Sequence, residues 1–209
     1  MKEKSPAGHY ITPVNTVMAI INIIVFIVLE ILGNTQDAAF MYSHGAMYPY
    51  AVIDNGEWYR LITSAFIHFG FEHLVNNMVM FICLGSYIER ALGTVKYIIF
   101  YLISAVCGNL ASMAWMIHSG ENAISGGASG VVFGFIGGLL WIVIINRGRF
   151  ENLTLKRFIL MAALSLYYGF TTAGTDNAAH IGAMAAGFLA AALLYRKRRK
   201  HTGRGIKGT

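Results

Sequence analysis

Ser129 stands in the run Gly126-Gly127-Ala128-Ser129-Gly130, where a polar, glycine-rich loop turns into a strongly apolar segment. A serine at such a junction is placed like a nucleophile. Flanking glycines allow a tight turn and close backbone approach, and a helix that follows leaves free N–H groups and positive dipole character beside the hydroxyl. The combination suits acyl chemistry better than packing. Other polar side chains recur at comparable junctions: His73 and Asn77, four apart and so on one helix face, and the group Asp176, Asn177 and His180.

The elements that must carry these residues are apolar. Hydrophobic residues make up 56% of the 209-residue chain and charged residues 12%, about half the charged fraction of a soluble domain. That composition indicates an all-α integral membrane protein of one compact domain. Six apolar stretches are legible, at about 16–32, 73–92, 95–117, 131–145, 158–172 and 178–195. Several reach the roughly 20 residues that a spanning helix needs. The expected organisation is a short N-terminal segment over 1–15, a six-helix membrane domain over 16–195, and a basic tail over 196–209.

The net charge of +6 is informative through its placement. Lys2 and Lys4 precede the first stretch, and Arg90 and Lys96 flank the second link. Arg147, Arg149, Lys156 and Arg157 fill the fourth, and Arg196, Lys197, Arg198, Arg199, Lys200, Arg204 and Lys207 follow the sixth stretch. Arg60 alone lies in a link of the other parity. The asymmetry predicts six spans with both termini in the cytoplasm, and a tail attracted to anionic lipid rather than to nucleic acid. The first stretch lacks a small-x-small cleavage pattern and is expected to stay as an anchor.

The link at about 34–72 reads as one long non-helical outer loop. Its Phe40, Met41, Tyr42, Met47, Tyr48, Tyr50, Trp58 and Tyr59 suggest a position partly in the membrane interface. Cys83 and Cys107 have no paired spacing and no metal-ligand companions, and are expected as small core residues.

With both ends inside, the second, fourth and sixth helices start at the outer surface, and each start carries the polar residues. Ser129 lies 18 residues before Arg147, His180 16 before Arg196 and His73 17 before Arg90, which at about 1.5 Å per residue is roughly 24 to 27 Å for each. They are level. The fourth stretch has 15 strictly apolar residues, some 22 Å of helix against a hydrocarbon core near 30 Å, so Ser129 is expected below the outer surface. Clustered polar groups at that depth imply a water-filled depression. Two small-residue ladders, Gly130, Gly134, Gly138 and Ala183, Gly187, Ala191, would let the helices of Ser129 and His180 approach closely.

At this point the residues resemble the rhomboid family of intramembrane serine proteases. Gly127-Ala128-Ser129-Gly130 is similar to the family's G-x-S-G element, and His180 followed by Gly187 to its last helix. The run from His68 through His73 to Asn77 fits H-x4-H-x3-N, Trp58-Tyr59-Arg60 fits W-x-R, and Glu89-Arg90-Ala91-Leu92-Gly93 fits E-R-x-x-G. G-x-S-G alone is weak, since soluble hydrolases share it; five elements in order are specific. The resemblance covers the whole six-helix core and implies the minimal six-helix form.

Carried over by motif position, Ser129 would be the nucleophile and His180 the general base. His73, Asn77 and the Ser129 N–H would form the oxyanion hole. Gly127, Gly130, Phe133 and Gly187 would support them. Family members often have tyrosine at the position of Phe133; the aromatic face that orients the histidine remains and the hydroxyl is lost. Asp176, one turn before His180, is expected as an N-cap rather than as the third member of a triad. His68, Trp58 and Arg60 are read as loop anchors, Glu89 with Arg90 as closing the inner end of the second helix, and His44 and His118 as solvated.

The implied activity is a serine endopeptidase that cuts transmembrane segments of membrane proteins near the outer face, with no metal or cofactor and no nucleic acid. Its partners would be those substrates and the bilayer, and its location a bacterial plasma membrane. A rhomboid-like protein that binds membrane clients without cutting them is the alternative, and a transporter is disfavoured because the polar cluster is confined to the outer half.

Overall fold

The computed structural model describes residues 12–171 and 174–197. Lys2, Lys4 and the basic residues from Arg198 onward lie outside the described residues, as does the end of the fifth stretch at Thr172. Each of the six apolar stretches is a helix: α1 Pro13–Leu32, α5 Phe71–Leu92, α6 Thr94–Ser119, α7 Ser129–Ile145, α8 Leu155–Thr171 and α9 Asn177–Leu194. By length and hydropathy α1, α6 and α9 can each cross a membrane, and α5 joins them when taken with the segment Arg60–Phe66, from which it bends by 96°. Helix α7 is apolar but shorter. Apolar side chains face outward along these helices, Ile31 at 79% and Leu193 at 83% exposed. Such a surface is stable against lipid and not against water.

The loop expected to be non-helical is built from short helical pieces instead: α2 Ala38–Ser43, α3 Pro49–Ile53, α4 Arg60–Thr63 and a 3-10 turn Ser64–Phe66. Asp37 caps α2 through Ala39 N–H and Phe40 N–H, and Pro49 opens α3 at a position that has no N–H to satisfy. Arg60, 4% exposed, holds the pieces together. Its guanidinium donates to the carbonyls of Tyr42 at 2.6 Å and Ala46 at 2.7 Å, and to Glu57. The W-x-R signature therefore marks a loop anchor, while Trp58 stays exposed.

A second departure from an all-helical fold is small. Between α7 and α8 the chain forms a two-stranded antiparallel ribbon, β1 Arg149–Phe150 and β2 Leu153–Thr154. Arg90 at the end of α5 clamps it with a bidentate pair to Glu151.

Helix α7 is buried nearly all round and packs against α5, α6 and α9, which is why its sequence has no polar stripe. Phe135 at its centre stacks on Tyr97 and Phe100 and meets Phe81 edge-on. The small-residue ladders work differently from the expected face-to-face pair. A side chain on Gly187 would collide with the Gly134 carbonyl, and one on Gly137 with the Met184 carbonyl, so these residues bring α7 and α9 together. Gly134 also receives Ser104 of α6. Gly138 instead faces Phe100 of α6, whose ring a β-carbon there would meet at 2.6 Å, and Gly130 faces open space.

Two other expectations need correction. Glu89 closes the start of α1 rather than the end of the second helix: its carboxylate accepts from Val14 N–H at 3.1 Å and Asn15 N–H at 2.7 Å. Thr12, at the N-cap position, makes no side-chain cap there, so a carboxylate from another helix supplies what the local sequence does not. Cys83 is exposed on α5 rather than in the core, and Cys107 is half-buried.

Candidate active site

Ser129 is the first residue of α7, and the loop before it is pinned from three directions. Ser125 pairs with Met47 in a two-bond antiparallel bridge. Gly127 N–H donates to the Ser64 carbonyl at 2.8 Å, and Ala128 N–H donates to His68 Nε2 at 3.2 Å. His68, fully buried, thus holds the loop before Ser129 against the short helices of the 34–72 segment. Asn109 of α6 adds a further tie by donating to the Leu61 carbonyl and Ser64 Oγ.

His180 lies in the first turn of α9, whose close approach to α7 brings its Nε2 to 2.9 Å from Ser129 Oγ. Phe133, one turn after Ser129, stacks on the His180 ring at a centroid distance of 4.0 Å and an angle of 11°. The aromatic face therefore orients the imidazole without a tyrosine hydroxyl. Asp176 does not complete a triad. It caps α9 through Ala179 N–H at 2.9 Å and accepts from Ser112 of α6 at 2.5 Å and from Ser125 at 2.7 Å. One carboxylate thus joins the helix of His180, the third long helix and the loop of Ser129.

His73 and Asn77 meet the same loop from α5. Gly127 has φ +133, and a β-carbon on it would sit 2.9 Å from His73 Nε2 and 3.5 Å from Asn77 Nδ2. His73 Nδ1 accepts from Phe69 N–H at 3.3 Å, so in the neutral ring the proton is on Nε2, beside Gly127. Asn77 is 8% exposed, and its Nδ2 has no hydrogen-bond partner among the described residues. Both side chains thus pack against the loop that leads into Ser129. Ser129 has a histidine ring nitrogen within hydrogen-bond reach, in a cavity that His73 and Asn77 also line.

These groups line a cavity of about 1830 Å³ that continues past Asn76 and Met80 of α5 and Leu160 and Leu164 of α8. The structure brings together Ser129, His180, His73 and Asn77, with Gly127 and Phe133 in direct support; Gly187 acts through the helix contact, and Gly130 only lines the cavity wall. Of the other histidines, His118 is exposed, whereas His44 is exposed but engaged, bonded to the Phe40 carbonyl and set against the Phe40 ring at a tilt of 37°. The carbonyls of Met47 and Ser64 and the hydroxyls of Ser112 and Ser125 carry no sequence signal that distinguishes them.

Comparison with known proteins agrees with the motifs. The family model described as Rhomboid domain matches residues 55–197. The chain is similar to Rhomboid protease GluP of Bacillus subtilis (strain 168), with 33% identity over 174 residues that cover 83% of this chain and 33% of that protein. It is also similar to RHOMBOID-like protein 5 of Arabidopsis thaliana, with 37% identity over 139 residues, 66% of this chain and 44% of that one. RHOMBOID-like protein 4 of the same plant is 36% identical over 140 residues, 66% of this chain and 34% of that one. The chain spans between a third and a half of the length of these relatives.

Proposed function

This chain belongs to the rhomboid family, and from that membership and the geometry of the site we propose that it is an intramembrane serine endopeptidase, cutting transmembrane segments of membrane proteins near their outer ends through a Ser129–His180 dyad. The observation that carries the reading is the 2.9 Å contact between Ser129 Oγ and His180 Nε2 on the wall of a cavity that His73 and Asn77 also line.

In this mechanism His180 Nε2 takes the Ser129 proton as Oγ adds to the scissile carbonyl carbon. The carbonyl oxygen becomes an oxyanion held by Asn77 Nδ2, His73 Nε2–H and the Ser129 N–H, which is free because Ser129 begins a helix. The protonated Nε2 then delivers its proton to the leaving amine as the C–N bond breaks. Water entering through the cavity repeats the cycle on the acyl-enzyme and restores Ser129. A peptide bond inside a helix is covered by its own hydrogen bonds, so the substrate segment must unwind to reach Ser129. Small and helix-destabilising residues near the cut would favour this.

The topology in this reading is six spans over 16–195 with both termini cytoplasmic, in a bacterial plasma membrane. Lys96 donates to the Leu194 carbonyl and Lys197 to the Ile145 carbonyl, while Arg90 pairs with Glu151. These contacts gather the basic residues at one end of the bundle, as an inner anionic leaflet favours.

The test is cleavage of a model transmembrane substrate in liposomes by the purified protein. Wild type cleaves, and Ser129→Ala or His180→Ala abolishes cleavage. Full cleavage by Ser129→Ala overturns the assignment. A folded wild type whose serine never reacts with a fluorophosphonate favours a client-binding role instead.

A further inference from the structure

Two stripes of α5 line the cavity of Ser129. His73 and Asn77 pack against the loop that leads into the serine. One position over, Glu72, Asn76 and Met80 are four apart and so share a face, and they line the same cavity as Leu160 and Leu164 of α8.

Asn76 stands out in that second stripe. It lies five residues past Phe71, about 7.5 Å along the helix, in a segment apolar enough to cross a membrane when taken with Arg60–Phe66. Asn15 and Asn22 of α1 and Asn109 of α6 each spend Nδ2 on a carbonyl inside the bundle. Asn76 is exposed instead, and its carboxamide has no hydrogen-bond partner among the described residues. An amide without a partner is costly inside a membrane, and polar groups kept there serve a pathway or a ligand.

The entering substrate needs what Asn76 offers. A transmembrane segment that unwinds to reach Ser129 frees backbone N–H and C=O groups, and each one left unpaired in apolar surroundings is penalised. The exposed Leu160 and Leu164 cannot pair them. On α5 an ionised Glu72 only accepts, and Met80 is a weak acceptor at most. Asn76 carries two donors and an acceptor, a match for a peptide group. There is room for one, since the side chain is exposed on a cavity of about 1830 Å³.

We propose that Asn76 is a substrate-binding residue that pairs with the backbone of the entering segment, its Nδ2 donating to a freed carbonyl and its Oδ1 accepting a freed N–H. The proposal rests on the reading of the chain as a protease of transmembrane segments, and it assigns the group that offsets unwinding. No covalent bond changes at Asn76; hydrogen bonds are exchanged. The contact therefore contributes most where the segment resists unwinding.

The experiment uses the full chain in liposomes and two membrane substrates with the same residues at the cut. One continues as a Leu/Ala-rich helix, and the other carries a Gly-Pro pair in that stretch. The reading is the ratio of kcat/KM on the Gly-Pro substrate to that on the Leu/Ala substrate, for wild type, Asn76→Leu and Asn76→Gln, with thermal unfolding of each. Asn76→Leu removes the amide at similar size and should raise the ratio roughly 3- to 30-fold, the span of one side-chain hydrogen bond between membrane helices. Its unfolding midpoint should stay at or above that of wild type, because leucine is the better helix former and suits apolar surroundings. Asn76→Gln keeps the amide and should hold the ratio near wild type. A wild-type ratio in Asn76→Leu overturns the proposal, including the case of an equal loss on both substrates. An equal rise in Asn76→Gln overturns it too, as does failure of Asn76→Leu to fold, which would make the amide a structural group. Cleavage by a Ser129→Ala control would remove the protease reading itself, whereas failure of the Asn76 contact alone leaves Ser129→Ala inactive.

Discussion

Gly127 and His73 are packed so tightly that no side chain fits between them: a β-carbon at position 127 would stand 2.9 Å from His73 Nε2 and Cε1, on a backbone with φ +133. Gly127, two residues before Ser129, and His73 of the second long helix therefore form one unit. The same closeness seats His73 against the loop that leads into Ser129.

Gly127→Ala tests that unit. The substitution forces an L-residue into a conformation costing about 1–3 kcal/mol and pushes His73 away. We expect a loss of cleavage on the order of a hundredfold, as for removal of one oxyanion donor, with a measurable drop in the unfolding midpoint. Kinetics and thermal unfolding on one preparation check both.

Asn77→Ala should behave differently. Asn77 Nδ2 has no partner among the described residues, so removing it orphans nothing. The expected result is a kcat lower by on the order of a hundredfold with KM and the unfolding midpoint close to wild type.

Asp176 combines three bonds, to Ala179 N–H, Ser112 and Ser125. Asp176→Ala removes an N-cap, for which about 1 kcal/mol is typical, and frees the loop of Ser129 from α6. We expect a destabilised protein, and Ser125→Ala should reproduce the catalytic part of the defect with less of the stability loss. Denaturation in detergent, read beside cleavage, separates the two.

The outer loop should carry an acid-sensitive contribution. The hydrogen bond from Arg60 holds the Glu57 carboxyl below its usual value, against a smaller opposing effect of burial. A depressed folded-state value means stability that is present above the unfolded value and is lost as pH falls through the folded one. Glu57 is only half-buried at the loop surface, so the contribution is small. Stability measured from neutral to acid pH should fall less steeply in Glu57→Gln than in wild type.

The elements and the chemistry were legible in the sequence to different depths. Helix positions follow from runs of apolar residues with few charges, and α7, with no polar stripe at all, could only be a buried helix. The candidate residues stood out because Ser129, His73, Asn77 and His180 are polar groups at apolar helix starts, where an unneeded polar residue is costly. By contrast, the outer loop looked non-helical because its helices are four to six residues long, too short for periodicity to register. Glu89 was assigned to the wrong helix end because a carboxylate names no partner; the unmet N–H groups of Val14 and Asn15 come from a helix more than seventy residues earlier.

Sequence alone thus determined which residues could react and at what level in the bundle, since rise per residue and charge placement are local quantities that add along a chain. Only the tertiary structure decided which of them touch. The 2.9 Å contact between Ser129 and His180 depends on two backbones meeting at Gly134, Gly137 and Gly187, and the small-residue spacing allowed several pairings of faces. The division of labour around His180 was decided there too: Phe133 behind the ring, Asp176 turned away to Ser112 and Ser125, and Nδ1 left facing Gly169. Side-chain direction across a helix interface is set by how whole surfaces interlock, and no single stretch of sequence contains that information.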